Sequence, residues 1–201
     1  VKEAYGTPAV TRIGDHDVLI TPTGHLVAAD DGRVLAGGVG TAANTSPVIH
    51  DGVAYFSDSE TSAWKLPGSL EGKPEELWYA ETYGEFFASP VLYDGILYCV
   101  ANEGWLYAID AADGTLLYEQ DLLDGDIPMD MTEVYPSLVV ANGRLLVTNC
   151  AGQTAVSKPG REYNLVRINT LPPGSGATPA IAGNSLLIRS GSQLIAFGEG
   201  E

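Results

Sequence analysis

The sequence holds one concentration of carboxylates that could bind a metal ion, between residues 121 and 133. Its acidic members are Asp121, Asp124, Asp126, Asp130 and Glu133. Calcium and other hard cations bind several oxygen ligands, and Asp124 and Asp126 could supply two of them. The spacing nevertheless differs from the Asp-x-Asp-x-Asp-Gly pattern of a calcium-binding loop. The sequence therefore favours a solvated acidic loop without a metal, and bound calcium remains the alternative.

Nucleophilic catalysis has little support in the sequence. A reactive thiolate needs a neighbouring histidine or other cation, but Cys99 and Cys150 are far along the chain from the histidines at positions 16, 25 and 50. The two cysteines also occupy different positions in the repeat described below, so we predict that both thiols are free. The chain contains no Gly-x-Ser-x-Gly elbow of a serine hydrolase. Hydrolysis by paired carboxylates stays open, because 26 acidic residues allow such pairs to form.

Aromatic residues near two turns suggest a surface for binding a partner. Tyr83 and Glu85 lie in the connection 83–87, and Trp105 begins an apolar run. Exposed aromatic side chains in loops are common anchors of interfaces. We therefore predict a partner-binding face formed by Tyr83, Glu85, Trp105, Asp124 and Asp126. Phe86 and Phe87 are expected to pack between structural units instead, and the sequence leaves open whether Tyr83 does the same.

The charge of the chain limits its partners. Ten Lys and Arg residues stand against 26 Asp and Glu residues, which gives a formal net charge of −16. Such a surface repels nucleic-acid phosphates and anionic membranes. No stretch approaches the roughly 20 apolar residues that span a bilayer. Neither nucleic-acid binding nor membrane insertion is therefore expected, and a protein partner is favoured.

One sequence repeat occurs five times and determines the predicted architecture. It consists of a proline, an apolar run, a Gly-containing turn, a second apolar run, a second turn and a third run. The prolines are Pro8, Pro47, Pro90, Pro136 and Pro179. A period of roughly 40–45 residues with several short strands indicates the blades of a β-propeller. The sequence thus predicts an all-β propeller of four-stranded antiparallel blades, with about five blades, and almost no helix.

The blades are predicted within a single domain, 1–201, with the proline-containing strand innermost in each. Their approximate ranges are 6–38, 45–80, 88–120, 134–168 and 177–201. Hairpin turns such as Asp94-Gly95 need positive φ, which Gly adopts freely and Asp tolerates. The fifth blade lacks a fourth strand, and residues 1–5 precede the first repeat. Either residues 1–5 complete the fifth blade and close the ring, or the chain is part of a larger propeller and is capable of self-association through open blade edges.

The third repeat carries a family resemblance. The segment 108–114, Ala-Ile-Asp-Ala-Ala-Asp-Gly, with an aromatic residue at Tyr118, resembles the repeat of PQQ-like propellers in the quinoprotein alcohol-dehydrogenase-like superfamily. The resemblance implies an interblade Trp, which is present as Trp78, is Tyr118 in the third repeat and is Ala36 in the first. The catalytic members use a vicinal Cys pair around the quinone, and this chain has none. It is most similar to the non-catalytic branch that includes the outer-membrane-assembly lipoprotein.

The sequence therefore favours a non-enzymatic scaffold or protein-interaction module with no cofactor. A periplasmic or extracellular location follows from the family resemblance alone. The alternative is a carbohydrate-active or other hydrolytic enzyme with an acidic pocket on the loop face. Two carboxylates converging at the central axis would favour the enzyme, and an axis lined by small residues and backbone would favour the scaffold.

Overall fold

A computed structural model describes residues 4–124, 128–130, 133–172 and 176–198, which form five antiparallel sheets without a helix. Blade 1 comprises β1 (Ala9–Ile13), β2 (His16–Ile20), β3 (His25–Ala28) and β4 (Val34–Gly37). Blade 2 comprises β5 (Val48–His50), β6 (Val53–Phe56), β7 (Glu60–Lys65) and β8 (Glu75–Glu81). Blade 3 comprises β9 (Val91–Tyr93), β10 (Ile96–Val100), β11 (Trp105–Asp110) and β12 (Leu116–Asp121). Blade 4 comprises β13 (Val139–Ala141), β14 (Arg144–Thr148), β15 (Gln153–Ser157) and β16 (Leu165–Thr170), and blade 5 comprises β17 (Ala180–Ala182), β18 (Ser185–Ser190) and β19 (Gln193–Phe197).

Each blade is a meander in which consecutive strands are neighbours. The first strand forms one edge of its sheet, and the first strands of adjacent blades contact one another, as β1 does β5 and β9 does β13. The all-β propeller with about five blades is thus confirmed. Because direction alternates along a meander, the turns between second and third strands lie on the same side as the connections between blades. We call this side the connection face, and the opposite side the hairpin face.

The turns between the first two strands of the blades have the geometry that the sequence predicts. Asp51, Asp94 and Asn142 have φ of 46°, 48° and 47°, and each is followed by a glycine that also has positive φ. Two successive left-handed residues match the twist of a two-residue hairpin. The Asx-Gly pairs therefore fix the register of the inner strands.

A chain of hydrogen bonds, which we call the axial ladder, joins all five blades. The N–H of Thr7 donates to Ser46 Oγ at 2.9 Å, and the N–H of Ser46 donates to Ser89 Oγ at 3.0 Å. The N–H of Ser89 donates to Ser137 Oγ at 3.1 Å, and that of Ser137 to Thr178 Oγ1 at 2.9 Å. Each of these residues lies two positions before the first strand of its blade.

The ladder corrects the alignment of the fourth repeat. In the other blades a proline follows the ladder residue, but in blade 4 Pro136 precedes Ser137, and Leu138 occupies the usual proline position. Alignment on Pro136 is therefore wrong by one residue. The hydroxyl, rather than the proline, makes the contact between blades, so the hydroxyl defines the equivalent position.

Three apolar cores lie between neighbouring blades. Val18 and Phe56 are fully buried between blades 1 and 2, as are Leu97 between blades 2 and 3 and Leu145 between blades 3 and 4. Between blades 4 and 5 an open groove of about 510 Å³ remains, and Arg167 is among its lining residues. The apolar faces of the sheets are thus buried against each other, which is the main stabilising term of a stacked-blade fold.

The ends of the described chain do not pair with each other. β19 has β18 as its strand neighbour, and Tyr5 instead donates its N–H to the carbonyl of Ala43 at 2.8 Å. Residues 1–3 of the predicted closing strand lie outside the described residues.

Both cysteines are free, as predicted, and Cys99 is buried. Burial raises the pKa of the Cys99 thiol to about 11 and that of the Tyr107 phenol to about 12. Burial also raises the pKa values of Tyr98 and Tyr163. These groups are therefore neutral in the folded protein at physiological pH.

We expect the propeller to lose stability steeply in alkali. An acid whose folded pKa is raised contributes stability that is present below its unfolded pKa and is lost as the pH rises through the folded value. For the tyrosines that window begins near pH 10 and extends to about 12 for Tyr107. Urea unfolding from about pH 9 to about pH 11.5 would show it. A free energy of unfolding that stays constant across this range would contradict the burial of these phenols.

Candidate partner-binding face

The connection between blades 2 and 3 is held by a buried tyrosine. Tyr107, on β11, is 1% exposed, and its hydroxyl lies against the backbone of Tyr83. The hydroxyl donates to the Tyr83 carbonyl at 3.0 Å and accepts from the Tyr83 N–H at 3.1 Å. Because the phenol remains protonated, it can perform both roles. The backbone at position 83 is therefore fixed by a side chain from the next blade.

A second set of hydrogen bonds holds Glu85 against the turn between β10 and β11. The N–H of Glu85 donates to the Glu103 carboxylate, at 3.2 Å to Oε2 and 3.4 Å to Oε1. The carbonyl of Glu85 accepts from the N–H of Asn102 at 2.6 Å. Residues 83–85 and 101–103 thus form one rigid unit on the connection face.

Exposed side chains surround this unit on the connection face. Tyr83 is 66% exposed and Trp105, which begins β11, is 37% exposed. The Tyr83 hydroxyl donates to Glu81 Oε2 at 3.1 Å, and this bond to a carboxylate is the main reason that the pKa of Tyr83 is raised. Glu85 is also exposed. An exposed aromatic ring on a fixed backbone loses little entropy on binding, which suits an interface anchor.

The acidic loop contributes less to this face. Asp124 is exposed and lies three residues after β12, on the same side of the blade as Trp105. Asp126 lies outside the described residues. No group of three or more potential metal ligands occurs in the described ranges. The structure thus brings Tyr83 and Glu85 together, and places Trp105 and Asp124 on the same face.

Phe86 and Phe87 are packing residues, as the sequence suggested. Phe86 is 1% exposed and packs on Tyr107 with ring centroids 6.1 Å apart. Phe87 is half-buried and meets Tyr135 edge-on at 5.0 Å. These two rings anchor the loop from which Tyr83 projects.

A second surface, which the sequence did not reveal, is a groove of about 440 Å³ beside the outer strands of blade 2. We call it the blade 1–2 groove. The side chains from blade 2 that line it are Glu60, Ser62, Trp64, Glu76, Tyr79 and Glu81. Simple alternation along β8 does not disclose the groove, because a β-bulge opposite Trp64 changes the face on which the preceding residues lie. The same bulge recurs between the third and fourth strands of blades 1, 3 and 4.

The alternative enzymatic site would need two carboxylates converging at the central axis. The five first strands read Ala-Val-Thr-Arg-Ile, Val-Ile-His, Val-Leu-Tyr, Val-Val-Ala and Ala-Ile-Ala. None contains Asp or Glu, and small and β-branched residues predominate.

The described residues contain no helix long and apolar enough to cross a membrane.

Comparison with known proteins relates the chain to one curated protein. The outer membrane protein assembly factor BamB of Marinobacter adhaerens is 30% identical over 112 residues, which are 55% of this chain and 26% of that protein. The match therefore spans about a quarter of the length of that relative. No protein-family model matches the chain.

Solved structures show the same fold. The crystal structure of BamB from Moraxella catarrhalis superposes with a TM-score of 0.64 at 16% identity, over 96% of this chain and 58% of that one. The computationally designed Ika8 protein superposes with a TM-score of 0.56 at 13% identity, over 96% of this chain and 70% of its own. The designed Ika4 protein gives 0.58 at 17% identity, over 80% and 94%. With the repeat and the five sheets, these matches show that the chain has a β-propeller fold, and that 112 of its residues are similar in sequence to part of BamB.

Proposed function

We propose that this chain is a non-enzymatic scaffold that binds a protein partner during outer-membrane protein assembly. The observation that carries the proposal is the 30% identity to BamB over more than half of the chain. The partner-binding surface is the connection face around Tyr83, Glu85 and Trp105. Asp124 extends it. Asp126, which the sequence assigns to the same surface, lies outside the described residues.

The geometry of the loop supports this surface. The Tyr83 side chain is 66% exposed, while the N–H and the carbonyl of the same residue are both hydrogen-bonded to the Tyr107 hydroxyl. Binding therefore requires no ordering of the loop, so the contact area of the ring contributes to affinity with a small entropic cost. The excess of negative charge favours a partner with a complementary basic surface and steers its approach.

Export to the periplasm is part of the proposal. It is motivated by the similarity to BamB, an outer membrane protein assembly factor by name. When Gram-negative cells are fractionated, we expect the intact gene product in the periplasmic fraction, or in the outer-membrane fraction if it is anchored there. Recovery with cytoplasmic markers would contradict export.

The binding face can be tested by photo-crosslinking in cells of the source organism. A photoreactive phenylalanine analogue at position 83 keeps an aromatic ring at an exposed site, so the fold should be retained. We expect ultraviolet light to yield one discrete cross-linked species containing a component of the outer-membrane assembly machinery.

Tyr93 offers a matched control. It is 40% exposed and ends β9 at a hairpin turn, so it lies on the opposite face of the propeller. The same analogue at position 93 should not give that species. Equal cross-linking from both positions, or none from position 83, would overturn the proposed face.

A further inference from the structure

We propose that the blade 1–2 groove is a separate binding site for an extended, Arg- or Lys-bearing segment of a protein. The site does not depend on the connection face having the proposed function. Its existence follows from what blade 1 leaves uncovered, and its ligand chemistry follows from the charges and rings that line it.

The groove is open because blade 1 is short at its outer edge. β4 has four residues, whereas β8 has seven and β12 has six. The β-bulges align Ser62 of blade 2 with Tyr107 of blade 3, since each precedes the alanine at the bulge. In blade 3 the Tyr107 ring fills the space between blades. In blade 2 the smaller Ser62 fills less of this space, and the part that stays open is the blade 1–2 groove that Ser62 lines.

The bulge also gathers the acidic side chains. Residues 76 and 81 are five positions apart, and strict alternation would direct their side chains to opposite faces of β8. The register shifts between Ala63 and Trp64, so Trp64 pairs with Glu76 while Ala63 pairs with Trp78. Leu77 is the extra residue, and the bulge thereby places Glu76 and Glu81 on the same face.

Among the described residues, no Lys, Arg or His forms an ion pair with Glu60, Glu76 or Glu81. Glu60 and Glu81 are directly opposite each other on β7 and β8, a like-charge pair that destabilises a sheet. No Lys or Arg lines the groove. A bound cationic side chain would relieve this repulsion.

The aromatic residues favour an arginine or lysine over a simple ion. Tyr79 is 62% exposed and lines the groove together with Trp64, whose Nε1 donates to Ser62 Oγ at 3.2 Å. Rings of this kind bind guanidinium and ammonium groups through their faces. Because of the bulge, Glu76 and Glu81 are separated by the same four strand steps as the residues they pair with, Trp64 and Glu60. At 3.2–3.4 Å per residue this is about 13–14 Å. That distance is too long for one metal ion and matches about five residues of an extended peptide.

Binding can be measured with a fluorescent heptapeptide of alternating Ser and Arg, blocked at both ends, and with its analogue in which Gln replaces Arg. We expect the Arg peptide to bind the full chain and the Gln peptide to bind at least about tenfold more weakly, because the contacts require a cation. Added salt should weaken the Arg peptide only.

Two variants probe the site, and a third provides a control for charge. Glu60→Gln with Glu76→Gln should weaken binding by about tenfold, and Ser62→Tyr should abolish it by filling the groove as Tyr107 does in blade 3. Glu71→Gln with Glu162→Gln removes the same charge from exposed sites elsewhere and should leave affinity unchanged. Far-ultraviolet circular dichroism would verify that each variant is folded.

The outcomes separate this site from the connection face. Trp105→Ala should leave peptide binding intact, even if it abolishes cross-linking or partner binding at that face. Equal weakening by the Glu71/Glu162 control, loss of binding in Trp105→Ala, or undiminished binding to folded Ser62→Tyr would overturn the proposal.

Discussion

Replacing Trp78 by alanine is expected to destabilise the propeller by about 3–5 kcal/mol, the usual cost of truncating a buried aromatic side chain. Trp78 is 7% exposed and joins blade 2 to blade 3. Its ring packs 6.0 Å from that of Tyr55, and its Nε1 donates to the carbonyl of Ala111 at 3.0 Å. The substitution therefore leaves both a cavity between blades and an unpaired buried carbonyl.

Chemical denaturation measures this effect, and Trp105 supplies the control. Trp105 is 37% exposed and is the first residue of β11. Trp105→Ala should therefore lower the free energy of unfolding by less than about 1 kcal/mol. If Trp78→Ala were as mild as Trp105→Ala, the ring would not contribute to the contact between blades 2 and 3.

The sequence repeat predicted the blades and the position of Trp78 between them. Trp78, Tyr118 and Ala36 all lie opposite a bulge residue in the third strand of their blades, so the alignment of these three positions is confirmed. Such positions are predictable because a repeated unit must bury the same face each time. Tyr118 is a partial exception, since it is only half-buried against Tyr163 and its hydroxyl finds no hydrogen-bond partner among the described residues.

The features that the sequence did not predict depend on local shifts of one residue. Pro136 misaligned blade 4 because a proline is conspicuous in a sequence, whereas the contact between blades uses the hydroxyl of Ser137. Glu76 and Glu81 gave no sign of a common site, because the bulge at Leu77 reverses the alternation between them. Such shifts leave the repeat period and the composition unchanged, but they change the face of the sheet on which a side chain lies.

The sequence suggested which residues could form the candidate face, but not the hydrogen bonds that hold its backbone. An exposed aromatic in a loop was a reasonable expectation for Tyr83. Nothing in the sequence indicated that Tyr107, 24 positions later, would hold its backbone with two hydrogen bonds. The rigidity of the loop therefore arises from packing between blades.

The second large effect concerns Gly114, in the turn on which Trp78 packs. Gly114 has φ +77°, and a Cβ added there would lie 2.8 Å from Cδ2 and Cε3 of the Trp78 ring. The left-handed backbone costs an alanine about 1–2 kcal/mol, and overpacking adds about 1–3 kcal/mol. We expect Gly114→Ala to destabilise the protein by about 2–5 kcal/mol in total.

Gly32 separates the two contributions. It occupies the equivalent turn of blade 1, with φ +74° and nothing within 4 Å of an added Cβ. The local hydrogen bonds also match, because Gly32 N–H donates to Ala28 O at 3.0 Å and Gly114 N–H to Asp110 O at 2.9 Å. Gly32→Ala should therefore show the backbone cost alone, about 1–2 kcal/mol.

A double-mutant cycle then tests the packing directly. In a protein that already carries Trp78→Ala, the ring is gone, so Gly114→Ala should cost no more than Gly32→Ala does. The coupling energy between positions 78 and 114 should be about 1–3 kcal/mol, and that between positions 78 and 32 should be near zero. Equal penalties for Gly114→Ala in the two backgrounds would mean that the Trp78 ring does not rest on this turn. The expected coupling would instead show that Gly114 has no side chain because the tryptophan of the preceding blade occupies that space.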